Sequence, residues 1–529
     1  MANYVQHVSA RHTPQTEPIH GKPMVQNDAG GYSFAVDDWT RLDRFLIFGS
    51  EKGTYYASER KLTKDAAGAV QRCLDADASR AVARIVSVSE SGRAPKNDPA
   101  IFALALAAAH KTGAPLALAA LSKVCRVGTH LFQFVAAVNE LRGWGRALRN
   151  GVAAWYTEKD AKALSYQILK YQQRDGWSHR DVLRLSHPQA VGSTQDVLHY
   201  AVKGWDAIGS DPHPDAALVQ LWAFERLKRE PSVKLACNLI RAHKMTREMV
   251  PTQLLTESAV WDALLDEMPL TALIRNLATM TKIGLIAPMS AGVGRVLSHL
   301  ADGERLKRSR VHPVQLLLAL LTYRQGHGER GKATWNPVPQ ICDALDVAFY
   351  LAFGNVEPTG KRWLIGLDVS GSMRGTRCVG SDMLTCHQAQ AAVSLITAAT
   401  EQQHAFVAFD TSAYLPAISP RQRLDDVVGA VSRLGGGGTD CSLPILWALQ
   451  TKTPVDVFAI FTDSQTWQGR VHPTQALTEY RQRMGIPAKL AVVAMCANDV
   501  SIADPSDAGQ MDAAGFDASL PQVVADFAR

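Results

Sequence analysis

RWLIGLDVSGSM, residues 362–373, decides how the C-terminal third of this chain is read. Residues 363–367 form an unbroken apolar run, as in a strand buried on both faces, and the run stops at Asp368 in a short loop with a glycine between two serines. Three later segments repeat the pattern: HAFVAFD (404–410), VDVFAIFTD (455–463) and AKLAVVAMC (488–496). Between them lie helical stretches at 383–400, 424–433, 443–450 and 473–484. Strands alternating with helices predict an open, mainly parallel, Rossmann-like α/β domain over 361–529, entered through the Pro/Gly turn EPTGKR (357–362). Ligands of such sheets sit at the carboxyl ends of the strands.

Three segments with chemistry end or follow those strands: DVSGSM (368–373), GGGGTD (435–440) and FTD (461–463). Asp368, Ser370 and Ser372 alternate along one tight loop, and Thr439 and Asp463 stand ready to join them from neighbouring loops. Two carboxylates with three neutral hydroxyls suit a hard divalent cation, Mg²⁺ above all, with a coordination position left for a water or a partner's carboxylate. The plainer alternative is that both aspartates cap the helices that follow their strands. A phosphate-binding P-loop is excluded because GGGGTD offers no lysine. A hydrolase elbow is excluded because no GxSxG surrounds Ser370. An aspartyl-phosphatase would place a second carboxylate where Ser370 stands.

Upstream the pattern is helical. IFALALAAAH (101–110), LFQFVAAVNELRGW (131–144), RALRNGVAAWY (146–156), AKALSYQILKYQQR (161–174) and PVQLLLALLTY (313–323) carry apolar residues at three- and four-residue spacing. A dozen or more short helices without a sharp repeat period predict stacked helical hairpins over 31–360, an α-solenoid of degenerate repeats. Residues 1–30, polar with several Pro and Gly, read as a flexible arm.

Composition bounds the rest. With 47% hydrophobic and 20% charged residues over 529 positions, the chain is neither disordered nor in need of disulfide staples. Its eight cysteines form no Cys-x-x-Cys pair, which fits a reducing cytoplasm. There is no secretory leader and no apolar run near the roughly 18 residues of a membrane helix, so a cytoplasmic protein without membrane contact is expected. Charge divides unevenly: 43 basic against 34 acidic residues in 1–360, and 13 against 16 from Lys361 onward. A basic two-thirds joined to a mildly acidic third is consistent with different partners for the two parts, and equally with an ordinary solvated surface.

The DxSxS loop, the distant threonine and the strand-end aspartate resemble the metal-ion-dependent adhesion site of von Willebrand factor A domains. More specifically, FGSEKGTYY (48–56), KYQQRDGWSHRDVLRLSH (170–187), EMPLTALIRNLATMT (267–281), YRQGHGERGKATWNP (323–337), EPTGKRWL (357–364) and GGGGTDCSLPILWA (435–448) resemble the Ro ribonucleoprotein autoantigen family. The chain looks like a bacterial-type member over about residues 25–529. The resemblance implies a ring-like module of HEAT-like helical repeats, called TROVE, closed by the von Willebrand A domain. It also implies a small non-coding Y RNA on the outer surface and single-stranded 3′ ends of misfolded or immature RNA in the central hole. Exoribonuclease partners such as polynucleotide phosphorylase, and roles in ribosomal RNA maturation or decay, are implied as well. A ring closed by one chain implies a monomer.

The family's Y RNA-binding residues match Lys170, Arg174 and His187 here. Read alone, Lys170 and Arg174 are four apart, share a helix face near its end and complement the helix dipole. Gly176 then ends that helix, and Ser178 with Asp181 predicts a capping box for the next, whose far end carries His187. A helical hairpin of this kind would gather the three residues on one basic edge. Lys123, Arg126, His130, Arg146, Arg149 and Arg184 are weaker candidates for extending that edge or lining the hole. His327, Arg330 and Lys332 lie on a Gly-rich loop with the same potential, and Trp144, Trp177 and Trp205 are candidates for base stacking or plain packing. The expected function is therefore a non-catalytic RNA-binding ring. The rivals are a metal-dependent protein-interaction scaffold and, least favoured, a metal-dependent nuclease, for which two aspartates make a poor two-metal site.

Overall fold

Six strands, four of them predicted, build the sheet that positions the candidate metal loops. In the computed structural model, which describes residues 12–35, 37–48, 59–90, 97–207, 215–328, 333–378, 383–495, 500–514, 524, 525 and 527–529, the chain begins with two short strands, β1 (Met24–Gln26) and β2 (Tyr32–Ala35). A two-stranded hairpin, β3 (Gln173–Arg174) and β4 (Trp177–Ser178), interrupts the helices. The C-terminal domain supplies β5 (Trp363–Asp368), β6 (His404–Phe409), β7 (Ala413–Tyr414), β8 (Val457–Thr462), β9 (Lys489–Ala494), β10 (Val500–Ser501) and β11 (Gln510–Ala514). Its main sheet runs β11-β9-β8-β5-β6-β7, parallel throughout except for the edge strand β7. All six residues of β5 and all six of β8 are buried, which is why both read as continuous apolar runs. The helices predicted between the strands run Cys386–Thr400, Leu424–Ser432, Leu443–Gln450 and Pro473–Met484.

From Asp38 to Leu351 the described residues form eighteen α-helices, most of them short. Their shared core includes Phe132, Phe134, Trp155 and Tyr156, all fully buried, with the Tyr156 hydroxyl 2.9 Å from His179 Nδ1. Burial pushes His179 down to about 4, so it packs as a neutral ring against Phe132. None of the helices described is long and apolar enough to cross a membrane.

Both ends of the helical module dock on the C-terminal domain. At the far end, Asp346 pairs with Arg423, whose guanidinium lies 4.8 Å from the Tyr350 ring centroid, while the Tyr350 hydroxyl accepts the Leu424 N–H at 2.9 Å. At the near end, the helix Asp38–Phe48 contacts β11. The chain thus closes a circuit through the C-terminal domain.

Residues 12–30 correct the expectation of a flexible arm. They are folded onto the C-terminal domain, where β1 pairs antiparallel with β2 and β2 pairs antiparallel with β10 in a separate three-stranded sheet. Residues 1–11 lie outside the described residues.

The segment around Lys170 needs a second correction. Its helix, Ala161–Lys170, ends six residues before Gly176, so Arg174 sits on β3 and shares no helix face with Lys170. Asp175 (φ 51°) and Gly176 (φ 78°) form a two-residue turn with both residues left-handed, as a type I′ hairpin requires. The predicted capping box is present: the Ser178 and Asp181 side chains each receive the other's backbone N–H and start the helix His179–Ser186. Ser178→Ala should cost about 1 kcal/mol. In a thermal melt of a helical module this size that is a drop of about 1–2 °C, and an unchanged midpoint would show the cap to be idle.

Candidate metal and nucleic-acid sites

The metal loops occupy the point where the sheet's strand order reverses, between β5 and its neighbours β6 and β8. Asp368 is fully buried at the end of β5; Oδ1 accepts the Ser370 N–H at 2.9 Å and Oδ2 the Thr462 hydroxyl at 2.6 Å. The Ser370 and Ser372 hydroxyls are 3.3 Å apart, and that of Ser372 bonds to Asp463. Asp463, one residue past β8, also accepts the Gln465 N–H at 3.1 Å. Thr439 is buried, and its carbonyl takes the N–H groups of Trp467 and Gln468 at 3.0 and 3.1 Å. The Gly371 N–H reaches the Gly437 carbonyl at 3.1 Å, so the serine and glycine loops are joined directly. The structure therefore brings the loops carrying all five residues together.

Neither aspartate caps a helix. The α-helices that follow begin at Cys386, capped by Thr385, and at Pro473, while each aspartate folds its own loop. Burial first, then the charge of Asp463, pushes Asp368 up to about 7, and burial likewise raises Asp463. Two buried carboxylates that disfavour each other's charge, surrounded by hydroxyl oxygens, fit a hard divalent cation. The hydroxyl of Ser464, a buried residue at φ 61°, has no hydrogen-bond partner among the described residues. Among those residues no group of three or more His, Cys, Asp and Glu side chains forms a metal site, which leaves a carboxylate-and-hydroxyl set as the alternative.

Thr462 and Asp410 were not singled out by the sequence. Asp410 follows β6, and its Oδ2 accepts the Gly437 N–H at 3.0 Å. Gly435 (φ 61°) passes so close to Val369 that a β-carbon would lie 2.5 Å from its methyl group. Arg374, two residues past Ser372, donates to the carbonyls of Leu434 and Gly435 at 3.1 and 2.8 Å. It braces the glycine loop.

The basic edge is built differently from the helical hairpin expected. Lys170 is half-buried, with Nζ 2.8 Å from the Tyr166 hydroxyl and near the rings of Tyr166 and Tyr171. Arg174 is exposed beside Asp175 at 3.5 Å. His187 caps its helix in the left-handed region (φ 48°). That helix has eight residues, so His187 stands roughly 12 Å along its axis from the hairpin. Beside that helix lies an open groove of about 700 Å³ lined by Gln172, Arg180, Arg184, Lys203 and Lys228, with Glu225 in its wall, and none of Lys170, Arg174 and His187 lines it. Arg184 was a candidate; Arg180, Lys203 and Lys228 were missed, because their convergence is made by three separate helices.

Of the weaker candidates, Lys123, Arg146 and Arg149 are exposed. Arg126 binds the Ser89 hydroxyl at 2.9 Å. His130 contributes no charge: burial, then Arg126, lowers it to about 4, and its Nδ1 lies 3.3 Å from the Asn97 amide. Trp144 and Trp177 pack on each other at 6.2 Å, and Trp205 is buried against Tyr200. His327 bridges to Thr334; Arg330 and Lys332, like residues 49–56 of the FGSEKGTYY segment, lie outside the described residues.

Carboxylates and hydroxyls converging at the switch point of this sheet, on a domain clasped by both ends of a helical module, define a von Willebrand A-type domain closing a helical repeat. Comparison with known proteins agrees. Residues 25–208 and 238–322 match the TROVE domain, and 362–528 match the Ro60 vWA domain. The chain is 40% identical to RNA-binding protein RO60 of Deinococcus radiodurans, covering 100% of this chain and 99% of that protein. It is 38% identical to RNA-binding protein RO60 of Caenorhabditis elegans, covering 95% and 90%. The crystal structure of the D. radiodurans RO (RSR) protein matches with a TM-score of 0.74 at 40% identity, over 93% of this chain and 99% of that one. The chain belongs to the Ro60 family.

Proposed function

We propose that this protein is a non-catalytic RNA-binding ring. Its outer surface holds a Y RNA, and its central hole takes single-stranded 3′ ends of misfolded or immature RNA. It presents such RNAs in the cytoplasm, as a monomer, to an exoribonuclease such as polynucleotide phosphorylase for ribosomal RNA maturation or decay. The observation that carries this reading is the open groove lined by Arg180, Arg184, Lys203 and Lys228. Cations spaced along an open groove suit a phosphate backbone, and relatives at 38–40% identity are named RNA-binding proteins. Shape and free ends rather than base sequence then set specificity.

Asp368, Ser370, Ser372, Thr439 and Asp463 hold a divalent cation, most naturally Mg²⁺, directly or through water. Held there, such a cation would supply Lewis acidity toward a partner's carboxylate. The protein side of that chemistry is static: the loops hold the oxygens in place.

Filter binding at two salt concentrations tests the RNA reading with a blunt RNA hairpin and the same hairpin carrying a single-stranded 3′ tail. The expected result is salt-sensitive binding of both, tightened about tenfold by the tail, a gain of about 1.4 kcal/mol. Failure to bind either RNA would sink the reading and leave a metal-dependent protein scaffold in its place.

A further inference from the structure

The loop after Asp463 takes most of its outside hydrogen bonds from the other end of the chain. Gln15 is completely buried. Its amide nitrogen donates to Asp440 Oδ1 at 2.8 Å and to the Val471 carbonyl at 2.9 Å. Its amide oxygen accepts the Gly469 N–H at 3.1 Å and the Thr466 hydroxyl at 2.5 Å. One side chain therefore joins two metal loops, through the neighbour of Thr439 on one side and through residues 466–471 on the other. Thr466 completes the link, because its hydroxyl also receives the Cys441 N–H at 3.2 Å and lies 3.4 Å from the Thr439 carbonyl.

The rest of the segment follows the same loop. The Asn27 amide donates to the Thr466 carbonyl at 2.8 Å, the Ser33 hydroxyl to the Ser464 carbonyl at 3.3 Å, and the Ala29 N–H to Gln465 Oε1 at 3.3 Å. These contacts give the loop's polar groups partners they would otherwise lack at this depth. The segment then leads, just beyond β2, into the helix Asp38–Phe48, the first of the module.

We propose that Gln15 is a positioning residue for the divalent-cation site, fixing Thr439 and Asp463 relative to each other from the N-terminal segment. The proposal rests on the cation reading above. Groups that orient ligands without touching the ion typically change affinity by about 10- to 100-fold when removed.

The test is Mn²⁺ affinity of the full chain, by electron paramagnetic resonance or calorimetry, for the wild type, Gln15→Met, Thr466→Val, the double variant and Lys22→Ala. Lys22 anchors the same segment elsewhere, through Asp504 at 2.7 Å and the Ser506 hydroxyl at 2.9 Å. Gln15→Met and Thr466→Val should each weaken Mn²⁺ about tenfold. The double variant should fall little further, as expected for one shared bridge, and Lys22→Ala should stay within about twofold. Circular dichroism checks folding, and Thr466→Val carries the test if Gln15→Met fails to fold. Wild-type affinity in the folded Gln15 or Thr466 variant overturns the proposal, and so does an equal loss in Lys22→Ala, which would make the effect one of general loosening. No Mn²⁺ binding by the wild type would instead refute the cation site itself.

Discussion

Asp368→Asn is expected to abolish the response of this protein to Mg²⁺ and, at the same time, to make the metal-free protein harder to melt. The first effect follows from the proposed site, in which Asp368 is a buried carboxylate ligand. A cation present at 100 times its dissociation constant adds about 2.7 kcal/mol to the folded state. At about 2–4 °C per kcal/mol that is a rise of about 5–11 °C for the wild type and none for the variant. The second effect follows from burial and from Asp463, which raise Asp368 to about 7, above the ~3.9 of an unfolded aspartate. The metal-free folded protein therefore binds more protons than the unfolded chain between those values, so its stability falls as pH climbs and is lowest above about 7. An asparagine carries no such penalty, and its advantage should appear at pH 8 and vanish at pH 4. Melts with and without Mg²⁺ at both values read all of this. A variant that still shifts with Mg²⁺ would remove Asp368 from the site.

Lys170→Ala with Arg174→Ala and His187→Ala is expected to weaken binding of structured RNA about 100-fold and to flatten its salt dependence. Each phosphate neutralised adds about −0.9 to the slope of log affinity against log salt on a B-form duplex. Loss of the Lys170 and Arg174 charges should therefore reduce the slope by about 2. Lys170 is held ready for such a contact. Burial acts to lower its pKa, but the Tyr166 hydroxyl bond and the charges of Tyr171, Tyr166 and Glu248 outweigh it, so the ammonium stays protonated. Titrations from 50 to 200 mM salt would show parallel lines for wild type and variant if these residues touch no phosphate. The tail-dependent gain should survive the triple change, since the single-stranded end is expected at a different place.

The C-terminal domain was legible because strands buried on both faces write themselves as short apolar runs. The convergence of its candidate metal loops was legible in part: Asp368, Ser370, Ser372 and Asp463 fall in two strand-end loops, while Thr439 lies in a glycine loop between two helices. The hairpin at 173–178 had a local signal, Asp175-Gly176, but the apolar spacing of the preceding helix ran through it and carried the helix too far. The segment 12–35 had no such signal. Its polar residues look like those of a solvated tail, and only partners more than 400 positions away turn them into structure. Thr462 was hidden for another reason: it is an ordinary β-branched strand residue whose hydroxyl matters only because β5 lies alongside. The groove residues Arg180, Lys203 and Lys228 are invisible to any local pattern.

The bonds of Gln15 also set an order of events during synthesis. Its partner Asp440 lies 425 residues later in the chain, so at about 5–20 residues per second the ribosome takes roughly 20–85 s to deliver it. By then residues 38–351 have already emerged, while the segment 12–35 still lacks the partners that order it. The nascent chain is thus an open arc throughout most of its manufacture, with its first segment still waiting for partners. It becomes a closed circuit only when its last third emerges.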